Sequence, residues 1–517
     1  MTENTENGKE RLTGRQWAKI IAAAVLLLLA NYIFFLMLWV MDRYDDVQFD
    51  QILYQIKSPI AGTGGGLIGS ALFRIIGVGT IVAGLEVLAY LLLAGKIKAL
   101  FTKLKKYAAY SLGKTARFFK RHFMPISASA LVLSILTFVF GLNIHAFIGD
   151  LARRTDFIEE HYVDPEDVEI AFEGEKRNLI FIFLESMETT FGDTSAGGKI
   201  TADFIPELTQ LARDNISFAG ADGISGAYSY VGTRWTAASM FAQTSGTIVK
   251  VPLNFDKYGR DGVYMPGIVT LGDILAAEGY NQSLLVGSDA NFAAREAYFK
   301  EHGNYKISDI YTAIDEGKIP EDYWEWWGYE DSKLFEYAKE EVLRLAELGE
   351  PFNFTTLTAD THFPAGYECA LCGDEYEEQY ANVLACSSRQ VYEFVRWIQE
   401  QPFYENTTII LSGDHLTMDP EFLSGIEEDY VRTTYNCIIN SAVEPTKETG
   451  REFAVFDMFP TTLAAIGATI EGDRLGLGVN LFSDTETLSE RYGHEKLDAE
   501  LENGSDFYFE EFYRKKK

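Results

Sequence analysis

The chain has 517 residues and a formal net charge of −31. That length exceeds one ordinary hydrophobic core, so two or three structural units are expected. Residues 1–150 hold 16 Lys+Arg against 9 Asp+Glu and the remainder holds 29 against 67, so the larger part is strongly acidic, which argues against nucleic acid as a partner.

Three stretches are apolar enough to cross a bilayer: residues 20–41, 75–94 and 123–148. Each approaches or exceeds the ~20 residues a helix needs to span the hydrocarbon. The first is too long for the core of a signal peptide and no small-residue cleavage site follows it, so it reads as a retained anchor. Residues 96–121 carry seven Lys and two Arg with no acid, which assigns that loop to the cytoplasm. Lys9, Arg11, Arg15 and Lys19 put the N-terminus on the same side, and the loop with Asp42, Asp45, Asp46 and Asp50 falls outside. Three spans also leave everything after residue 149 outside the cytoplasm, so a multi-pass plasma-membrane protein with a large exported domain is expected. Arg74 is placed to snorkel to the interface, whereas Glu86 needs a partner that the sequence does not reveal.

Residues 150–176 read as a connector, interrupted at Asp164-Pro165. From Asn178 onward, strand-like apolar runs at 178–184, 282–286, 352–357, 407–411 and 433–439 alternate with helical stretches at 205–215, 268–278, 331–348, 379–400 and 456–466. This alternation predicts an α/β fold over residues 177–483, a mainly parallel sheet with helices on both faces. Residues 484–517 read as a mobile, acidic, polar tail. Cys369, Cys372, Cys386 and Cys437 all fall in the exported part, where thiols tend to pair. A local disulfide among the first three is expected, because Cys369-Ala-Leu-Cys372 lacks the second pair of an ordinary zinc site.

Two of the apolar runs stop at metal-type ligands. Asn178–Leu184 ends at Glu185-Ser186, and 408–411 ends at Ser412-Gly413-Asp414-His415. Ligands of open α/β sheets bind at the carboxyl ends of the strands. Glu185, Asp414 and His415 would therefore meet at one rim as a set suited to a divalent cation. Thr236 opens a run of good helix formers after a Gly-containing loop. A hydroxyl there sits in positive potential among free N–H groups, which favours an alkoxide and an approaching phosphate. The plainer role of Thr at such a place is an N-cap.

Asn178 to Ser186, Gly232-Thr-Arg-Trp-Thr-Ala-Ala-Ser239 with the residues up to Gly246, Thr361-His362-Phe363-Pro364, and Ser412-Gly413-Asp414-His415-Leu416-Thr417 occur in the order and near the spacing of the phosphoglycerol transferase and lipoteichoic acid synthase family. The chain resembles that family, a sulfatase-like branch of the alkaline phosphatase superfamily, over roughly residues 178–482. The resemblance implies an alkaline-phosphatase-like fold preceded by a helical membrane anchor. It implies one divalent metal, manganese before zinc or magnesium, held by Glu185, Asp414 and His415, with Thr236 completing the shell and acting as nucleophile. It implies that His362 and Arg295 bind substrate. Two departures stand out: Ala293 replaces the aromatic that the synthases carry two residues before the arginine, and three spans are counted where those synthases have five.

The activity implied is transfer of phosphoglycerol from phosphatidylglycerol to a glycan or glycerophosphate-polymer acceptor through a threonine-bound intermediate. The alternatives are a phosphoethanolamine transferase or another sulfatase-like phosphodiester hydrolase. A sulfate hydrolase is disfavoured, because Thr236-Ala237-Ala238-Ser239 lacks the Cys/Ser-x-Pro-x-Arg motif, and an inactive metal-binding scaffold is disfavoured by the intact ligand set. Glu188 and Asp289 are expected to support the site from behind. Trp324, Trp326 and Trp327 are expected at the pocket rim, at the lipid interface or in the core.

Overall fold

The computed structural model describes residues 13–514 apart from 44–47, 61–64, 94–104, 196, 201, 221–222, 254–261, 420 and 427–429. Lys9, Arg11, Asp45, Asp46 and residues 96–104, on which the expected topology partly rests, lie outside the described residues. The chain divides into two units, one made of residues 1–47 and 65–145 and the other of 48–64 and 146–517.

The first unit is helical. Three of its helices are long and apolar enough to cross a membrane, within Gly14–Arg43, Ile68–Leu91 and Arg121–Gly141. The second contains a π-helical stretch at Phe73–Val78. The third apolar stretch was expected to run to residue 148. It stops instead at Gly141, where Leu142 and Asn143 turn the chain, and Ile144–Ala152 forms a separate helix. Asn143 takes a left-handed φ of 49°, which a continuous helix does not admit. Glu86 finds its partner in Asn31, whose Nδ2 donates to Oε2 at 3.0 Å. Arg74 pairs with Asp42. Tyr90 stacks on Phe123 with ring centroids 3.6 Å apart.

The second unit is built on a six-stranded sheet. A small antiparallel pair, β1 (Ile170–Phe172) with β8 (Ala468–Ile470), lies apart from it. The main sheet comprises β2 (Asn178–Leu184), β3 (Asn281–Val286), β4 (Lys306–Ser308), β5 (Phe352–Leu357), β6 (Thr407–Gly413) and β7 (Asn436–Ile439). Its order is β4-β3-β5-β2-β6-β7. All neighbours are parallel except β7, which runs antiparallel to β6 along the edge. Every residue of β2 is buried. Leu179, Phe181 and Phe183 enter one core and Ile180, Ile182 and Leu184 the other. A strand covered on both faces must be apolar at every position, which is why β2 reads as an unbroken apolar run.

Two expectations of domain organisation are corrected. Residues 48–64 fall within residues 1–149, the part expected to form the membrane anchor, but they group with the second unit. Tyr54 is the reason: its side chain is buried, and its hydroxyl lies 3.0 Å from that of Tyr264 and donates to Ala293 O at 2.8 Å. Residues 484–517 are not a mobile tail as far as residue 514. They form the helices Leu488–Tyr492, His494–Glu502 and Asp506–Glu511. Leu488, Leu497, Leu501, Tyr508 and Phe512 are buried in the same core as β2. Burial of each such side chain contributes about 1.5–3 kcal/mol, enough to hold a segment whose mean composition is polar.

Candidate active site

Four adjacent parallel strands, β3, β5, β2 and β6, end at one rim. β2 delivers Glu185, β6 delivers Asp414 and His415, the loop after β5 carries His362, and the loop after β3 leads to Arg295 at the start of Arg295–Glu301. Thr236 arrives separately, as the first residue of the helix Thr236–Ser245. The turn before it needs Gly232, which has φ +72° and whose added Cβ would stand 2.2 Å from Val249 O. Gly413 is likewise forced, because a Cβ there would stand 2.0 Å from Met187 O.

The ligand atoms of Glu185, Asp414 and His415 lie within 4.8 Å of one another, and all three side chains are buried. His415 Nε2 is 3.4 Å from Glu185 Oε1 and 3.5 Å from Asp414 Oδ2. Thr236 Oγ1 is 3.2 Å from both Glu185 Oε2 and His415 Nε2. The N-cap role for Thr236 is thereby replaced: the cap position belongs to Trp235, which makes no side-chain cap bond, and the threonine hydroxyl faces the acidic cluster instead. His415 Nδ1 is 2.8 Å from Leu416 O, so Nδ1 carries hydrogen and Nε2 points at the carboxylates. Ser186, at a left-handed φ of 53°, binds both acids: its N–H donates to Asp414 Oδ1 at 2.7 Å and its hydroxyl to Glu185 Oε1 at 2.9 Å. Thr361 Oγ1 donates to Glu185 O at 2.5 Å, tying the His362 loop to the end of β2.

The electrostatics fit a cation. Burial and the Glu185 carboxylate push Asp414 up to about 8. Burial also acts to raise Glu185, but His362 and His415 outweigh it and hold Glu185 at about 2. Burial opposes the charged form of His415, yet Asp414 and Glu185 raise it to about 9. Asp414 Oδ2 is buried with no hydrogen-bond partner among the described residues. Two buried carboxylates beside an imidazole whose Nε2 faces them, one oxygen left unpaired, form a donor set that a divalent ion satisfies.

His362 is half-buried, with Nδ1 2.7 Å from Phe363 O and its ring 4.7 Å from that of Trp327. Trp327 also faces Phe292, at 5.4 Å, and Phe292 lies under the Arg295 guanidinium. Of the three tryptophans, Trp327 therefore sits at this site, while Trp324 is exposed. Arg295 is buried; Nη2 donates to Ser288 Oγ and to Asp289 O, both at 2.9 Å. Its charge acts on His362 and on Glu185. Glu188 does not touch the cluster; it takes a bidentate pair from Arg432, both contacts 2.7 Å. Ser186, Thr361 and Tyr54 are neighbours that sequence reasoning did not assign. Ser186 was readable from its place at the strand end, whereas Tyr54, with its ring 5.4 Å from Trp235, carries no local signal.

The sulfatase family profile matches residues 177–468. Phosphoglycerol transferase I of Xanthomonas campestris pv. campestris is 29% identical over 316 residues, 60% of this chain and 43% of that protein. The chain thus spans less than half the length of the curated relatives it matches. Among solved structures, a protein in the alkaline phosphatase superfamily from Vibrio parahaemolyticus has a TM-score of 0.49 at 20% identity, covering 64% of this chain and 78% of that one. The lipoteichoic acid synthase LtaP from Listeria monocytogenes has a TM-score of 0.46 at 17% identity, covering 63% and 81%.

Proposed function

The chain belongs to the sulfatase family, and on that premise we propose that it is a membrane-anchored phosphotransferase moving phosphoglycerol from phosphatidylglycerol to a glycan or glycerophosphate-polymer acceptor. One observation carries this reading: Thr236 Oγ1 stands at a helix start, 3.2 Å from Glu185 Oε2 and from His415 Nε2. Glu185, Asp414 and His415 would hold the divalent ion, manganese by family resemblance, with Thr236 beside it. When bound, such an ion lowers the hydroxyl's pKa and neutralises phosphoryl charge.

The Thr236 hydroxyl loses its proton to solvent as its oxygen attacks phosphorus. The bond from phosphorus to the diacylglycerol oxygen breaks, and diacylglycerol leaves after taking a proton from solvent. The glycerophosphoryl group stays on Thr236 until an acceptor hydroxyl attacks the same phosphorus and restores the threonine. The free N–H groups at the start of Thr236–Ser245 stabilise charge on the phosphoryl oxygens. His362, whose Nδ1 donates to Phe363 O at 2.7 Å, keeps Nε2 as an acceptor for a hydroxyl of the glycerol head group. Arg295 adds positive charge on the side of the bound head group. A cationic, guanidinium-lined site suits glycerol hydroxyls better than the ammonium of phosphoethanolamine. Apolar helices in the first unit confine the enzyme to the surface that holds its lipid donor.

The test is intact-mass analysis of the full-length protein after incubation with phosphatidylglycerol and manganese. A glycerophosphoryl increment mapped to Thr236 is expected. A phosphoethanolamine increment from phosphatidylethanolamine would move the reading to the sister activity, and no increment with either lipid would end it.

A further inference from the structure

Three thiols converge on the flank of the loop that carries His362. Cys369 and Cys372 lie between His362 and the helix Gln379–Gln399, and Cys386 lies on that helix. Cys369 Sγ is 3.9 Å from Cys372 Sγ and 3.7 Å from Cys386 Sγ, and all three sulfurs fall within 4.8 Å of one another. Around a tetrahedral zinc ion with Zn–S bonds of about 2.3 Å, ligand sulfurs stand about 3.8 Å apart. A disulfide, at about 2.05 Å, could join two of these cysteines and would leave the third idle. Gln390, one helical turn beyond Cys386, directs Nε2 at Cys386 Sγ (3.3 Å) and at Cys369 Sγ (3.7 Å). Donors of this kind orient metal-bound thiolates. Cys369 and Cys386 are buried while Cys372 is half-buried, which leaves an entry path from solvent. The missing second pair of the Cys369-Ala-Leu-Cys372 motif is thus partly supplied by a residue on a different element.

We propose that Cys369, Cys372 and Cys386 form a three-thiolate site for a soft divalent cation of the zinc class, separate from the Glu185–Asp414–His415 cluster. Three thiol protons leave for solvent as three metal–sulfur bonds form, and the fourth position stays open to a small ligand. The ion would bind the His362 loop to the helix Gln379–Gln399. Without it, that loop is held to its surroundings by such contacts as Ala365 N to Asp419 Oδ2 at 2.9 Å, Gln379 Nε2 to Gly366 O at 3.1 Å and Tyr380 Oη to Thr361 O at 2.8 Å.

The experiment uses the full-length, reduced, metal-stripped protein in detergent, titrated with Co²⁺. A sulfur-to-cobalt charge-transfer band in the near ultraviolet is expected, bleached by Zn²⁺. The oxygen and nitrogen ligands of the other site cannot produce it. Cys369→Ser and Cys386→Ser should lose the band, whereas Cys437→Ser, whose sulfur sits against Leu211 O, should keep it. In wild-type protein, alkylation followed by peptide mapping provides a readout that needs no variant: zinc should shield these three thiols and a chelator expose them. The proposal is overturned if the reduced protein gives no thiolate–cobalt band. It is also overturned if protein isolated from membranes without reductant carries a disulfide between any two of the three cysteines.

Discussion

Thr236 carries the chemistry proposed here through a single oxygen whose neighbours are an acid and an imidazole. Thr236→Ala should abolish the covalent adduct and lower transfer from labelled phosphatidylglycerol by roughly a thousandfold or more, as loss of a nucleophile does. Its thermal unfolding should stay close to wild type, because the residue is half-buried and its hydroxyl caps nothing. Thr236→Ser should retain the adduct. Glu188 has a different job at the same rim. Its side chain is fully buried, and the Arg432 fork neutralises it. Arg432→Ala should lower stability by about 3 kcal/mol, the cost of stranding a buried charge, read as a drop in Tm. Arg432→Lys should recover only part of it, since an ammonium cannot match both carboxylate oxygens.

Among the elements, two segments that read as peripheral turn out to shape the site. The helix Phe49–Lys57 and the residues after it clamp a strained turn: Ala293 and Ala294 both take left-handed φ values, 56° and 65°, immediately before Arg295. Tyr54 Oη donates to Ala293 O, and Ala293 N donates to Pro59 O at 3.1 Å. Such backbone costs about 1–3 kcal/mol per residue and persists only when its surroundings impose it. Ala293 is also buried in the core, so an aromatic at this position would have to displace its neighbours. Tyr54→Ala should lower stability by about 3–5 kcal/mol and raise KM for the lipid donor more than Tyr54→Phe does. The second segment is the C-terminal helices. Arg451, 1% exposed, donates to Glu490 Oε1 and to the carbonyls of Leu481, Ser483 and Thr485. Arg234 pairs with Asp498 two residues before Thr236. Deleting residues from 485 onward should therefore leave protein that aggregates or melts early by circular dichroism, where removal of a mobile tail would change nothing.

For the molecule as a whole, pH and charge set the limits. Asp457 is fully buried, and burial drives its carboxyl up to about 7 even though Ala454 N and Val479 N both donate to it. A folded-state pKa above the unfolded value near 3.8 means the native state binds the extra proton. Its contribution to stability is complete below about pH 4 and is lost as pH rises through about 7. Chemical denaturation across that window should show this slope, and Asp457→Asn should flatten it. The same variant should lower stability by about 1–3 kcal/mol, since an amide oxygen can serve only one of the two N–H groups.

Much of the rim was legible because parallel strands covered on both faces must be apolar throughout, so β2 and β6 stand out as runs and the polar residues that stop them mark the strand ends. Glu185, Asp414 and His415 follow from that rule, Thr236 from its place at a helix start, and the resemblance added His362 and Arg295. Local sequence also carries the three apolar helices, because hydrocarbon-crossing length is a property of one segment. Only the tertiary structure decided the rest: the insertion of Tyr54 beside Trp235, the pairing of Asn31 with Glu86, and the burial of Leu497, Leu501 and Tyr508 in a segment that is acidic on average. Each depends on which distant surfaces meet, and no period or composition within a short window encodes that meeting.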